Sequence, residues 1–324
     1  MGVFVSRYIA RRIALTIPTA IISSMVVFAV MRVLPGDVAL AILADTPHTV
    51  EMREILREEL GLNEPLLVQY LRWMGSIVSD ELGGRSLETG ERVRSIIAGQ
   101  ISVTALLTAY AVLVSVAVSV PASVLAALRR GRWIDEVIQT SSRIALSVPT
   151  LFAALLLVWL LLRLFGWSAP IIYSGLVEHP REHLEIMLWP VVLLTLTYAP
   201  HIVRVTRARL VDVLDSDYAQ SARARGISEA RVVVTHALPN AFITLATVVG
   251  LQLGVLISGA IVVEVIFGLP GIGRGIVRAA LARDYPVVQS SAMVLVVLVL
   301  LVNFAVDIAY AVTDPRVRYG RRTP

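Results

Sequence analysis

The chain has 324 residues, of which 56% are hydrophobic, and its mean hydropathy is +0.76. This composition excludes an ordinary soluble domain and indicates a membrane protein. The chain has no cysteine, which excludes disulfides and thiolate metal sites, and no lysine, because all 29 basic residues are arginine. A GxxxxGK[ST] phosphate-binding loop requires lysine, so any ATP that drives this protein is bound by another subunit. We expect no catalytic residue, metal site or cofactor in this chain.

Six apolar segments are long enough to cross a bilayer as helices, at about 20 residues each. These segments, TM1 to TM6, are residues 13–34, 101–128, 144–165, 186–203, 241–263 and 286–312. The predicted fold class is therefore an all-α polytopic membrane protein. TM1 is longer than the apolar core of a signal peptide, and more spans follow it, so we expect it to remain in the mature protein.

Arginine is concentrated in alternate short segments of the chain. It is abundant before TM1, between TM2 and TM3, between TM4 and TM5, and after TM6. The positive-inside rule assigns such segments to the cytoplasm. We therefore predict cytoplasmic N- and C-termini in the cell (inner or plasma) membrane, with the lipid bilayer as the surrounding partner. The pI of about 9.9 follows from this basic face and does not require nucleic acid as a partner.

This sidedness divides the chain into four parts. Residues 1–34 form the N-terminal tail and TM1, residues 35–100 an extracytoplasmic loop, residues 101–312 the core with TM2 to TM6, and residues 313–324 a cytoplasmic tail. The loop shows apolar residues at helical spacing in two segments, and a third short helix is predicted at 91–98. The loop is therefore interpreted as a small helical cap.

Two predicted spans carry a stripe of small or hydroxyl-bearing residues on one helix face. The stripes are Thr104, Thr108, Ser115 and Ser119 in TM2, and Thr247, Gly250, Gly254 and Ser258 in TM5. Such faces allow helices to pack closely, and Gly250 and Gly254 form a GxxxG motif. They equally suit an uncharged path for a polar solute. Both interpretations remain open, and the second makes every member except Gly250 a candidate for lining the path.

Few charged residues lie within the predicted spans. Asp307 in TM6 lies one turn from Asn303, and a structural pair or an interface contact is predicted for it. A proton-coupled carrier is expected to have acids or histidines near the middle of several spans. Their scarcity argues against a proton antiporter.

The TM4–TM5 connection at 204–239 is polar and carries six arginines. Residues 219–225 favour a helix, and Gly226 provides a stop. Ser228 is a candidate cap for a second short helix, which is predicted to end at Pro239. A helical hairpin with small side chains offers a low surface that another protein can contact.

This hairpin resembles the EAA loop of permease subunits of bacterial and archaeal ABC importers, with the pattern E-A-A-x3-G-x9-I-x-L-P. Gln220-Ser221-Ala222 stands at the E-A-A positions, Gly226 at the glycine, and His236-Ala237-Leu238-Pro239 at the end. Gln220 and His236 depart from the pattern, so an ion pair through the family's glutamate is not carried over. The resemblance implies that an ATPase-coupling role belongs to Tyr218, Gln220, Ala222, Arg223, Arg225, Gly226 and Pro239.

The dipeptide/oligopeptide/nickel permease branch of these importers is similar to the chain over its whole length. The matching motifs are Arg11-Arg12 with Ile17-Pro18-Thr19, Leu34-Pro35-Gly36-Asp37, Glu59-Leu60-Gly61-Leu62 with Pro65 and Tyr70, Asp217-Tyr218, Glu264 to Phe267, Pro270-Gly271 with Gly273, Arg283 to Gln289, and Asp307 ahead of Asp314-Pro315-Arg316. Importers of this branch contain a pair of permeases, and the long loop after TM1 is similar to that of the dipeptide/oligopeptide permease in the pair.

The resemblance implies a permease that forms a translocation path with a second homologous permease. Two cytoplasmic ABC ATPase subunits would drive it, and an extracellular or periplasmic solute-binding protein would deliver the substrate. Di- and oligopeptides are the expected substrates, with oligosaccharides or nickel as alternatives. TM2 has no histidine or carboxylate cluster suited to nickel. The rival classes are a self-contained secondary transporter or channel, and a helix-turn-helix DNA reader, which a membrane anchor disfavours.

Overall fold

The computed structural model describes residues 2–33, 49–59, 61–79, 82–170 and 172–313. The Leu34-Pro35-Gly36-Asp37 and Asp314-Pro315-Arg316 motifs and Leu60 lie outside the described residues, as do the side chains of Arg11 and Glu59.

The described residues form helices and no strand. The helices are α1 (Gly2–Val33), α2 (Val50–Glu59), α3 (Leu66–Val78), α4 (Val93–Leu128), α5 (Trp133–Ser147), α6 (Thr150–Phe165), α7 (Pro180–Leu214), α8 (Asp217–Ala224), α9 (Glu229–Val232), a π-helical turn (Val233–Ala237), α10 (Leu238–Phe267), α11 (Ile272–Leu281) and α12 (Tyr285–Thr313).

Five helices are long and apolar enough to cross a membrane, and a sixth crossing is reached if α5 and α6 together form one span. The five are α1, α4, α7, α12 and the continuous run of α9, the π-helical turn and α10. The prediction of an all-α polytopic membrane protein is confirmed. A bilayer favours this fold because a helix satisfies its own backbone hydrogen bonds where no water is present.

The predicted third span, at 144–165, was wrong at its N-terminal end. The chain bends by 103° between α5 and α6, so the first residues of the predicted span belong to a different helix. Pro149 causes the break, because its ring keeps Val148 out of the helical region, at φ −90° and ψ 120°. A hydropathy pattern does not detect this break, since apolar residues predominate on both sides of the proline.

The predicted short helix at 91–98 is also absent as a separate element. Its residues form the first turns of α4, which continues for 36 residues from Val93 to Leu128. No proline or turn separates the predicted helix from the apolar run, and Gly99 is accommodated within the helix. Helix α4 therefore begins before the predicted span and continues into it without interruption.

The chain divides into two compact units. The core unit comprises residues 1–12, 105–268 and 301–324, and the cap unit comprises residues 13–104 and 269–300.

The cap unit joins α1 to the predicted loop helices through a small aromatic cluster. Phe28 lies edge-on to Tyr70, with 5.6 Å between ring centroids, and Trp73 completes the cluster. The hydroxyl groups of Ser24 and Tyr70 are 2.8 Å apart. These contacts explain why α3 packs on the helix of TM1.

Asp284 makes a second set of contacts within the cap unit. Its side chain is 2% exposed and accepts hydrogen bonds from the Ser86 hydroxyl and the Leu87 amide, the latter at 3.1 Å. The carboxylate therefore ties the turn that precedes α4 to the residues that begin α12. A buried carboxylate is stable here because backbone and hydroxyl donors satisfy its charge.

Helix α7 occupies the centre of the core unit. In its most apolar stretch 67% of the residues are buried, against 11% for α1. The Ser119 hydroxyl of α4 donates to the Ala199 carbonyl at 3.1 Å, and the Tyr198 hydroxyl donates to the Val249 carbonyl of α10 at 2.7 Å. Helices α4 and α10 are thus both hydrogen-bonded to α7.

Asp307 of α12 forms an ion pair with Arg12 of α1, at 2.7 Å between Oδ2 and a guanidinium nitrogen. This confirms the predicted structural pair and supplies a partner that lies almost 300 residues away in the sequence. An acid in a membrane helix is costly unless it is paired, so the contact accounts for both charges.

Gly250 packs α10 directly against α12. A β-carbon at this position would lie 2.6 Å from Cγ2 and 2.9 Å from Cβ of Val306. A β-carbon essentially never lies this close to a nonbonded atom, so any residue other than glycine requires a shift at this contact. The GxxxG motif thus contributes to helix packing within this chain.

We therefore expect Gly250→Ala to destabilise the protein by about 1–3 kcal/mol, because the added methyl group overpacks the contact with Val306. Thermal unfolding in detergent, followed by size-exclusion chromatography, measures the effect. Gly99→Ala is the matched control, since a β-carbon at Gly99 meets nothing within 4 Å. Combining Gly250→Ala with Val306→Ala should recover most of the lost stability. Equal unfolding temperatures for Gly250→Ala and Gly99→Ala would contradict this packing role.

Candidate functional site

The TM4–TM5 hairpin begins where α7 ends. Ser216 occupies the N-cap of α8, and its hydroxyl donates to the Val213 carbonyl at 2.6 Å and accepts from the Ala219 amide at 3.5 Å. One side chain therefore serves the last turn of α7 and the first turn of α8. This sharp junction fixes the direction of α8 relative to α7.

Helix α8 has an inner face made of alanine. Ala219 and Ala222 are fully buried and pack on Leu210, Val213 and Val232. Their small side chains allow α8 to lie close to the helices around it. The predicted role of Ala222 in coupling would therefore act through this close packing, because its side chain faces the interior of the same chain.

The outer face of α8 is polar and exposed. It is formed by Asp217, Tyr218, Gln220, Ser221, Ala224 and Arg225, and we call these residues the outer face of the hairpin. Tyr218 is 45% exposed. The Arg225 guanidinium has no hydrogen-bond or ion-pair partner among the described residues. Its charge is thus available to a second protein.

Gly226 makes the turn that follows α8, at φ +79°. A β-carbon there would meet nothing within 4 Å, so the backbone conformation alone favours glycine. The Gly226 amide donates to the Arg223 carbonyl at 2.9 Å. The prediction that Gly226 ends the first helix of the hairpin is confirmed.

Arg223 holds the two sides of the hairpin together. Its guanidinium donates two hydrogen bonds of 2.8 Å to the Glu229 carboxylate and one of 2.8 Å to the Leu214 carbonyl at the end of α7. The hydrogen-bonded Glu229 carboxylate raises the pKa of Arg223 above its ordinary value. Sequence reasoning gave Arg223 an ATPase-coupling role and missed Glu229, although their six-residue separation across Gly226 was a readable signal.

The two departures from the EAA pattern have structural partners in this chain. Gln220 donates from its amide nitrogen to the Asp215 carbonyl at 3.1 Å, a bond that an ionised glutamate could not donate. His236 lies edge-on to Tyr218, with 4.8 Å between ring centroids. Gln220 and His236 therefore each stabilise the hairpin through a contact with another residue of the same chain.

The sequence predicted that the second hairpin helix ends at Pro239, and this prediction was wrong. Helix α9 begins after Ser228 as expected, although the Ser228 side chain makes no cap hydrogen bond, and it continues through the π-helical turn into α10. Proline lacks an amide hydrogen and its ring obstructs the carbonyl four residues earlier. A wider π turn, in which the Leu238 amide bonds to the Val233 carbonyl, relieves this conflict.

Two ion pairs brace the base of the hairpin. Arg207 of α7 donates to Asp135 of α5 at 2.6 Å, and Arg130 pairs with Asp215 at 2.5 Å. Asp135 also accepts from the Gly131 amide at 3.0 Å. The sequence assigned these arginines only to the basic side of the membrane, because partners this distant in sequence leave no local pattern.

The candidate path-lining residues of TM2 lie mainly inside the chain. Thr104, Ser115 and Ser119 are at most 1% exposed, and the Thr104 hydroxyl accepts from the Ile272 amide at 3.0 Å. In TM5, Gly254 is half-buried and Ser258 is exposed, and the hydroxyls of Thr247 and Ser258 donate to carbonyls of their own helix. The buried residues of the TM2 stripe therefore have packing roles. Lining of a path stays a prediction for the candidates of both stripes, including Thr108.

Comparison with known proteins gives the same class as the hairpin. Residues 119–319 match the family described as "Binding-protein-dependent transport system inner membrane component", and residues 5–108 match the N-terminal family of such membrane components. The chain belongs to the binding-protein-dependent transport system inner membrane component family, and it is a multi-pass permease subunit that works with other ABC components.

Several relatives cover almost the whole chain. A permease protein of Brucella abortus (strain 2308), named for a peptide transport system, is 37% identical over 313 residues, which cover 96% of this chain and 98% of the relative. A di/tripeptide transport system permease of Pseudomonas aeruginosa (strain UCBPP-PA14) is 35% identical, with 97% and 99% covered. An oligopeptide transport system permease of Bacillus subtilis (strain 168) is 34% identical, with 96% and 99% covered.

A solved structure supports the fold. A chain of the MetNI methionine ABC transporter, in an inward-facing conformation, aligns with a TM-score of 0.57 at 19% identity. The alignment covers 69% of this chain and 99% of that chain. At this identity the likeness concerns the arrangement of helices.

We expect Glu229→Gln to loosen the hairpin, because Arg223 then loses a carboxylate but keeps the Leu214 carbonyl. For a partly exposed pair the loss is under about 1 kcal/mol, so amide hydrogen exchange across α8 should accelerate about threefold. Hydrogen exchange with mass spectrometry measures the change. Arg225→Gln is the control, and its exchange should match that of the wild type. Unchanged exchange in Glu229→Gln would show that the pair does not hold the hairpin.

Proposed function

We propose that this chain is a permease subunit of an ABC importer for di- and oligopeptides, driven by ATP hydrolysis in partner subunits. The observation that carries the proposal is the rigid polar hairpin at the end of α7, whose outer face has an unpaired arginine. The peptide substrate is supported by the names of relatives that match over nearly their whole length. Oligosaccharides or nickel remain the alternative substrates of the same class.

The remaining partners follow from this class. We propose a second homologous permease, two cytoplasmic ABC ATPase subunits and an extracellular or periplasmic solute-binding protein. In this arrangement the hairpin and both termini face the cytoplasm, and the loop at 35–100 lies on the extracytoplasmic side. The absence of lysine supports ATP hydrolysis elsewhere, since no P-loop can be formed in this chain. We propose no cofactor for this subunit.

In the proposed mechanism the outer face of the hairpin rests in a groove of the ATPase. Closure of the ATPase dimer moves α8, and the Ser216 junction and the Arg223 bonds pass this motion to α7. Because α7 is bonded to α4 and α10, the helices of the core unit move together in an alternating-access cycle. Arg225 and Tyr218 would contact the ATPase, whereas Gly226, Ala222 and Pro239 would set the hairpin shape.

We expect Gly226→Val to lower peptide transport at least about tenfold, because a branched residue at this left-handed φ strains the turn by about 1–2 kcal/mol and moves the outer face. Transport of a labelled peptide into vesicles that contain the whole complex measures the loss. The variant should still enter the membrane, and its ATP hydrolysis should no longer respond to the loaded binding protein.

Gly166→Val is the matched control for this experiment. Gly166 also has a left-handed backbone, at φ +62°, and open space around its β-carbon position, but it follows α6 rather than the hairpin. Its transport should stay near that of the wild type. Normal substrate-driven transport in Gly226→Val would refute the coupling role, and transport by this chain alone in liposomes would favour the secondary carrier.

A further inference from the structure

The core unit contains a cavity of about 150 Å³ that no role above explains. It lies where the break between α5 and α6 meets α7 and α10, and it is partly open. Its lining includes Val148, Thr150, Thr197, His201, Gln252 and Gly259. The cavity can hold on the order of five water molecules, which is the space of one or two small amino-acid residues.

The polar groups that line this cavity are uncharged. The Thr197 and Tyr198 hydroxyls donate to backbone carbonyls, whereas two other polar side chains are available. No arginine, aspartate or glutamate belongs to its lining. Within the part of the chain that the structure describes, neither the His201 ring nor the Gln252 amide has a hydrogen-bond partner, although both residues are only half exposed. Polar groups in an apolar wall are normally satisfied, so two such groups facing one cavity indicate a ligand or solvent that satisfies them.

One face of α10 lines the cavity. Gln252, Val255, Leu256 and Gly259 contribute to the lining at helical spacing of three and four residues. The stripe with Gly250 and Ser258 points about 145° away around the helix, at 100° per residue. Since Gly250 packs on α12, one face of α10 serves packing and the nearly opposite face serves the cavity.

The broken helix adds an independent observation. Substrate sites in transporters are frequently bordered by discontinuous helices, because interrupted backbone is tolerated at membrane depth only in protein or beside a polar cavity. Val148, at the break, and Thr150, the first residue of α6, both line this cavity. A role of the cavity in translocation would explain why the helix is broken at this place.

We propose that this cavity is a translocation subsite that binds the uncharged backbone of a peptide. Each peptide unit offers one donor and one acceptor, and the Gln252 amide matches both, with His201 and Thr150 beside it. A lining without fixed charge does not select among acidic, basic and neutral side chains. This inference rests on the proposed function, since it specifies how the same permease would accept peptides of varied sequence.

The chain has no cysteine, so single thiols can be introduced at chosen positions. We expect Gln252→Cys to react with a charged methanethiosulfonate reagent, and tri-alanine delivered by the binding protein with ATP should slow this labelling at least about fivefold. Ser258→Cys, on the far face of the same helix and outside this cavity, should be protected much less than Gln252→Cys. The complete transporter in nanodiscs is used, and labelling is read on this chain.

A second variant tests the lining by charge. Gln252→Glu should lower transport of Ala-Glu-Ala at least about fivefold relative to Ala-Lys-Ala, because a carboxylate in a confined site repels a like charge. The wild type should transport both peptides at comparable rates. Equal peptide effects at Gln252→Cys and Ser258→Cys, or unchanged selectivity in Gln252→Glu, would overturn the subsite. Failure of the wild-type complex to transport tri-alanine would instead overturn the proposed function.

Discussion

The attachment of α4 and α10 to α7 is the interaction on which the core unit depends. Hydroxyl groups of Ser119 and Ser123 in α4 donate to carbonyls of α7, and Tyr198 of α7 donates to a carbonyl of α10. In a bilayer these hydroxyls have no water as an alternative partner, so each pairing favours one register of the two helices. The small side chains along α4 permit the close approach that these bonds require.

The hairpin inherits its rigidity from this arrangement. Ser216 and Arg223 both bond to the last turn of α7, and Gln220 bonds to the residue that follows it. Buried Ala222 keeps α8 against the same helices. Most polar groups at the root of the hairpin therefore serve the chain itself, which leaves the outer face, with Tyr218 and Arg225, for a partner. A coupling element of this kind would act through its shape and position.

The sequence was sufficient for five of the six predicted spans and for the hairpin, because hydropathy and glycine positions are local signals. It was insufficient where one residue competes with a longer pattern. Pro149 breaks an apolar segment that hydropathy predicts to be one span. Pro239 does not end its helix, because a π-helical turn accommodates it. Distant partners were also hidden: Arg12 pairs with Asp307 at the other end of the chain, and Arg207 pairs with Asp135 of an earlier helix. Such contacts depend on the fold, so composition and spacing cannot predict them.

Cross-linking of the hairpin in the assembled transporter tests the central proposal most directly. A photoreactive group at Ser221, on the outer face of the hairpin, should cross-link to the ATP-binding subunit. The same group at Val234 should not, because Val234 is exposed on the π-helical turn and does not belong to the outer face. The cross-link at Ser221 should change in yield when ATP is hydrolysed. Absence of the Ser221 cross-link, or equal yields at both positions, would contradict docking through the outer face of α8.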